Sequence, residues 1–399
     1  MRPRAGTRCA AAAAAACVAA LGACRERVAS NERFTLDPSP PVLEAGEAGP
    51  AAALPGPRGV AVRLEPIARV AQAADGVPSV SPDGRSVAIE ASSDAGWAVR
   101  VGDPLPPGGF TARIEARSLE PRRRGQLLRA VEGAWVLGRG ATDDGFVLER
   151  PREDGGRDIV LAGWQAGMRT IAEDGWCNAF ATASGDGAFA WSRRMPEGGP
   201  WQIVVQRGGM RRELEVPAGT SWLLPTFAGD GTGLFALCLA GNALKAAWLP
   251  FGPDGLPDAR STVAPRHGAV LSLRGTLSSA VRATMAAGGT AASPPGRADL
   301  TVWTPDAGTM VTWLPGGRPE ALGRGAAAGV VIDDDNALVT DGRRLLRHRL
   351  GAPGLADGVI ADGAWVIRPT TRSPASFVAF RPLGGQVEFA TLTLETEAR

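Results

Sequence analysis

The chain has 399 residues, 44% hydrophobic and 21% charged, which is long enough to bury a sizeable core and excludes both an integral membrane bundle and wholesale disorder. Its formal charge of +2 excludes nucleic acid as the main partner, because phosphate neutralisation needs a concentrated basic surface. Glycine (53) and proline (32) are abundant, so turns are dense and an all-β chain is expected.

Arg2, Arg4 and Arg8 precede an unbroken apolar run from Ala10 to Ala23. That run is shorter than the roughly 20 residues needed to span a bilayer, and it reads as a signal peptide over 1–23. It ends Leu21-Gly22-Ala23-Cys24, which resembles the bacterial lipobox: a branched apolar residue, two small residues, and the cysteine that is lipidated before cleavage. The resemblance implies a lipoprotein held to the membrane through Cys24, with two or three acyl chains giving a stable anchor where one is marginal. Arg25 in place of Asp implies, by similarity to Gram-negative sorting, the outer membrane. Loss of the signal leaves 40 basic residues against 41 acidic ones, so the mature chain has no basic field.

Residues 24–59 carry Pro38-Ser39-Pro40-Pro41 and Pro55-Gly56-Pro57 and show no sustained period. This segment is expected to be a disordered tether, able to hold a folded domain up to roughly 100 Å from the lipid.

From residue 60 to 399 the apolar runs are short and broken by Gly, Pro and Asp, the pattern of sandwiches, barrels and propellers. A strand, an Asp-Gly turn and a second strand occur at Ser81-Pro82-Asp83-Gly84-Arg85 and recur at Asp144-Gly145, Asp186-Gly187 and Asp230-Gly231, with a degraded copy at Asp333-Asp334-Asp335-Asn336. Glycine suits such hairpin turns because it tolerates positive φ. Asp144 to Asp186 is 42 residues and Asp186 to Asp230 is 44, the length of a four-stranded propeller blade. The 340 residues from Val60 onward then make seven blades, within a range of six to eight. The Ser81–Arg85 stretch and its following apolar strand resemble the repeat of TolB-like, WD40-like bacterial propellers. The implied fold is an all-β propeller, an architecture that hosts binding, scaffolding and several chemistries.

Catalytic sets are hard to assemble. The only histidines are His267 and His348; both are expected on polar loops or strand faces, and no G-x-S-x-G elbow accompanies them. Two imidazoles without H-E-x-x-H do not make a zinc site. Asp143-Asp144 and Asp333–Asn336 gather oxygen ligands in turns without EF-hand spacing. The absence of tyrosine excludes a sialidase-type nucleophile. Lys245, the single lysine, has no glycine-rich lead-in, and Gly138-Arg139-Gly140 lacks the third glycine of a dinucleotide fingerprint. Of the eleven tryptophans, most are expected to pack between blades. Cys177 and Cys238 lie in apolar strands and are expected as buried thiols, with a disulfide open in an oxidising compartment.

The residues therefore designate no catalytic, cofactor or metal group, and Cys24 alone carries an assigned role. The leading expectation is a lipid-anchored, non-catalytic binding or scaffold propeller with an envelope protein partner. Two alternatives stand beside it: a carboxylate- or Ca²⁺-dependent hydrolase or lyase with an axial site, and a sensor of glycan or peptidoglycan that uses exposed tryptophans. The irregular connections Gly102–Phe110, Pro250–Arg266 and Ala286–Arg297 are expected to cluster on one face as a partner-binding rim.

Overall fold

The computed structural model describes residues 60–396 apart from 74–75, 101, 104, 215–217, 229–230, 241–242, 258–269, 272–299, 305–308, 314–319, 325–327, 333–335, 341–342, 350–357 and 372–375. The signal, Cys24 and the tether lie outside these residues, as do His267, Asp230, Asp333–Asp335 and the connection 286–297.

Among the described residues the chain runs through seven antiparallel meanders, arranged as a β-propeller. Blade 1 contains Ser79–Val80, Ser86–Ser93, Ala112–Ser118 and Leu127–Gly133; blade 2 contains Val136–Ala141, Gly145–Pro151, Arg157–Gly163 and Met168–Ala172. Blade 3 contains Cys177–Ala183, Phe189–Met195, Gly198–Arg207 and Met210–Glu213; blade 4 contains Thr220–Phe227, Gly233–Ala240, Ala243–Pro250 and Val270–Leu271. Blade 5 has three described strands, Leu300–Thr304, Thr309–Trp313 and Glu320–Arg324. Blade 6 contains Ala328–Val331, Asn336–Thr340, Arg344–Arg349 and Val359–Asp362. Blade 7 contains Val366–Pro369, Ser376–Leu383, Gln386–Thr396 and, from the other end of the domain, Val60–Ala71.

That last pairing joins the two ends of the described chain. Val60 lies opposite Thr396 and Ala71 opposite Gln386, with a register shift between Pro66 and Ala68 where proline removes a ladder donor. Blade 7 also meets blade 1, where the Thr371 amide donates to the Pro82 carbonyl at 2.7 Å.

The core is a series of interfaces between successive blades. Ile114 and Ala116 of blade 1 pack with Val136, Phe146 and Leu148 of blade 2. Ile159 and Leu161 of blade 2 pack with Trp191 and Val204 of blade 3, and Ile203 and Val205 of blade 3 with Leu234 and Cys238 of blade 4. Val378 and Phe389 of blade 7 meet Val87 and Ile89 of blade 1. A strand in mid-blade is thus covered on both faces, which explains its continuous apolar runs. The outermost strand is polar, as in Met210-Arg211-Arg212-Glu213, and its charges discourage edge-to-edge pairing.

Asp-Gly turns join the first and second strands; in blade 2 the Thr142 amide donates to the Gly145 carbonyl at 2.8 Å across Asp143 and Asp144, while those of blades 1 and 3 are longer. The Ser81 amide donates to the Ser86 carbonyl at 2.9 Å, enclosing four residues, while Asp83 accepts from the Ser81 hydroxyl and the Arg85 amide. Ser184 to Ala188 repeats the device with three enclosed residues. Side-chain capping by Asp, together with left-handed Gly84 and Gly187, satisfies the turn amides.

The expected single rim of loops is corrected. Gly102–Phe110 joins second to third strand in blade 1, whereas Pro250 begins the connection from third to fourth strand in blade 4. Antiparallel order sends these two connections to opposite faces. Gly102–Phe110 is also bound down: the Gly102 carbonyl accepts from Arg194 of blade 3 at 2.9 Å, and the neighbouring Val99 carbonyl accepts from Arg157 of blade 2 at 2.7 Å. It is a strap across three blades.

Candidate functional site

The innermost strands lie side by side about the axis. Ser79–Val80 touches Val136–Ala141, which pairs in parallel with Cys177–Ala183 at Arg139 and Thr182; Cys177–Ala183 in turn touches Thr220–Phe227. Where these strands approach their first turns they enclose a cavity of about 450 Å³, walled by blades 7, 1, 2, 3 and 4, within the usual range for small-ligand pockets.

Irregular inner strands shape this mouth. Phe180 (φ 58°) and Leu224 (φ 53°) are left-handed non-glycine residues at equivalent places in blades 3 and 4, a costly conformation for side chains of that bulk. The ladders to the second strands are interrupted there, between Ala179 and Thr182 and between Leu223 and Thr226. Blade 2 breaks its ladder between Leu137 and Ala141, with Gly140 at φ 74°. A Cβ on Gly140 would sit 2.6 Å from the Ala183 carbonyl oxygen, so the close approach of blades 2 and 3 requires glycine.

Arg139 uses the groups these irregularities release. Its Nη2 donates to the carbonyls of Pro225 at 2.8 Å and Phe180 at 3.4 Å, and its Nη1 donates to the Thr226 hydroxyl at 3.1 Å. Burial lowers its pKa to about 10, with Glu149 raising it and Arg368 lowering it. Arg368, on the inner strand of blade 7, donates from Nη1 to the Ile367 carbonyl at 3.1 Å and lies 5.3 Å from the Phe380 ring centroid. Burial brings its pKa to about 10 as well. Both residues line the cavity and are half-buried, with surrounding protein displacing bulk water; both guanidiniums stay protonated at neutral pH.

The third arginine of the lining, Arg207, pairs with Asp186 at 2.9 Å and lies over Phe251. Asp186 also accepts from the Ser184 hydroxyl. The described lining thus sets three arginines against one carboxylate, which is already engaged.

Sequence reasoning passed over Arg139, having weighed it only as part of a dinucleotide fingerprint. The available signal was an arginine between two glycines on an apolar inner strand. His348 lies on a strand rather than a loop, the second of the two expected placements, and is fully buried opposite Ala337 because Arg344–Arg349 is a mid-blade strand. Asp143 and Asp144 sit exposed in their turn. Cys177 and Cys238 are buried and form no disulfide. Trp164, Trp191, Trp201, Trp222 and Trp365 are buried. Arginines cover Trp176, Trp201 and Trp365, with Arg193, Arg194 and Arg381 at 4.2, 4.5 and 4.6 Å from the ring centroids. The side chains of Trp97, Trp248, Trp303 and Trp313 lie outside the described residues.

A buried polar network lies behind the mouth. Glu149 accepts from Arg157 and from the Ala181 amide, both at 2.8 Å; Asn178 donates to the Arg157 carbonyl at 2.9 Å and accepts from the Trp191 indole at 2.8 Å. Each contact joins neighbouring strands or blades, so the network holds the walls in place.

No protein-family profile matches the chain, and no curated protein sequence matches it. Among solved structures it is similar to TolB from Acinetobacter baumannii, at 21% identity and a TM-score of 0.32, over 44% of this chain and 40% of that one. It is similar to the Dos1 propeller at 8% identity and a TM-score of 0.44, over 82% and 95% of the two chains. Virginiamycin B lyase from Staphylococcus aureus is similar at 12% identity and a TM-score of 0.41, over 84% and 100%. The match to TolB spans less than half of that protein's length. These are likenesses of fold.

Proposed function

We propose that this propeller is a non-catalytic binding or scaffold protein of the cell envelope, anchored through lipid on Cys24, which receives its partner at the mouth of the axial channel. The observation that carries the reading is the cationic lining: three arginines against one engaged carboxylate, in a cavity of about 450 Å³ walled by five blades. Arginine forks with spare donors suit recognition of an anionic group. A carboxylate-dependent hydrolase or lyase would need two acidic groups facing one another there, and Asp186 is the sole acidic residue of the described lining. The lipobox Leu21-Gly22-Ala23-Cys24 supports the anchor.

A photo-crosslinking residue at Thr371, exposed beside the mouth, is expected to trap an envelope protein in intact cells. The same residue at exposed Met210 on the outer strand of blade 3 is expected not to. Equal trapping at both positions, or none at either, overturns the reading. Cys24→Ala is expected to abolish lipid labelling and release the protein from the membrane fraction; a variant that stays membrane-bound overturns the anchor.

A further inference from the structure

We propose that the axial mouth is an oxyanion site, in which Arg139 and Arg368 hold a carboxylate or phosphate group of the bound ligand. This rests on the reading of the mouth as a binding site and specifies the chemistry bound there. Other buried arginines have carboxylates: Arg100 forks onto Glu90 at 2.5 and 2.7 Å, Arg157 pairs with Glu149 at 2.8 Å, and Arg193 pairs with Glu213. The two mouth arginines depart from this pattern. Among the described residues Arg139 donates only to neutral oxygens, and Arg368 only to one carbonyl.

The Arg139 Nε–H is buried without a hydrogen-bond partner, as are those of Arg100, Arg157 and Arg193, so the donors that distinguish the mouth are those of Arg368. Arg368 spends only Nη1, which leaves the edge formed by Nε and Nη2, the geometry that grips a planar carboxylate or two phosphate oxygens. Arg139 and Arg368 come from blades 2 and 7 and line the same cavity; burial dominates the lowered pKa of each, and on Arg139 the charge of Glu149 opposes that of Arg368. An oxyanion in the cavity would accept from the open edge of Arg368 and place a negative charge beside both guanidiniums.

The test is calorimetric titration of the full chain in neutral detergent with inorganic phosphate, with succinate, and with an acidic hexapeptide. Phosphate or succinate is expected to bind and to weaken as salt rises. Tight binding by the peptide alone would assign the carboxylate to a polypeptide, and binding by phosphate alone would assign a phosphate ligand. Either result supports the site. Arg368→Gln is expected to weaken binding by about tenfold or more, as for a lost charge-assisted pair, with an unchanged melting temperature. Arg85→Gln, at an exposed turn, is the control and is expected to bind as the wild type does. Arg139 also ties blades together, so Arg368 carries the test if Arg139 variants fail to fold. Equal weakening in the Arg85 and Arg368 variants, or binding of none of the three probes, overturns the oxyanion site. If the Thr371 cross-link persists in that case, the binding role stands without it; if the cross-link is also absent, both readings fall.

Discussion

Arg139 reaches past the neighbouring blade to the Pro225 carbonyl, joining the inner strand of blade 2 to that of blade 4 at 2.8 Å. The bond exists because Leu224 is left-handed and the adjoining ladder is interrupted. Arg139→Met should leave the Pro225 and Phe180 carbonyls without this donor and lower stability by about 1–3 kcal/mol. Urea unfolding with an unchanged m-value would check it; a midpoint equal to that of the wild type would show that water replaces the guanidinium without cost.

The Glu149–Arg157 pair should be far more sensitive. Arg157 is 1% exposed, so Glu149→Ala would strand a positive charge in the core and remove the acceptor of the Ala181 amide. A loss of about 3–5 kcal/mol is expected, read by the same unfolding measurement.

Gly102 and Gly108 separate strain from steric conflict. Both have positive φ, 89° and 91°, but a Cβ at Gly102 would stand 2.7 Å from the Trp201 ring while Gly108 faces open space. Gly108→Ala should cost about 1 kcal/mol, the left-handed penalty alone. Gly102→Ala should cost clearly more, because the strap must lift from Trp201 or push it aside. Equal melting temperatures would refute the packing account.

Acid stability should depend on carboxylates held by paired arginines. Burial pushes the Glu388 carboxyl up, but hydrogen bonds from Arg69 and Arg381 outweigh it and the net shift is down. Glu115, held by Arg113 and Arg117, has the same balance. A depressed folded value means that this stability is fully present above the unfolded carboxylate pKa of about 4.3 and is lost as pH falls through the folded value. Glu388→Gln should therefore be less stable than the wild type at pH 7 and should lose less stability on acidification. Parallel pH profiles would contradict this.

The thiols offer a further check. Burial raises the pKa of Cys177, with Arg157 and Arg194 opposing it, and Cys177 and Cys238 are both buried and unbridged. Iodoacetamide at pH 8 should label neither in the native protein and both in urea.

What the sequence determined by itself is local and periodic. Turn chemistry depends on a few adjacent residues, so Asp-Gly turns spaced 42 and 44 residues apart were enough to imply blades 2 to 4. A second repeated signal was also legible in principle: Gly133-Ala134-Trp135 and Gly363-Ala364-Trp365 both lead an outer strand into the next inner strand, each with the Trp amide bonded to the glycine carbonyl. Tertiary structure alone decided the rest. No local pattern states that Val60–Ala71 completes the blade of Gln386–Thr396, because an edge strand offers the same amides and carbonyls to any partner. Nor could the sequence bring Arg139 and Arg368 to one mouth, since their proximity follows from closure of the ring. A charge's environment is set by what surrounds it in space: an arginine between glycines comes to line a cavity with a second arginine only when five blades enclose it.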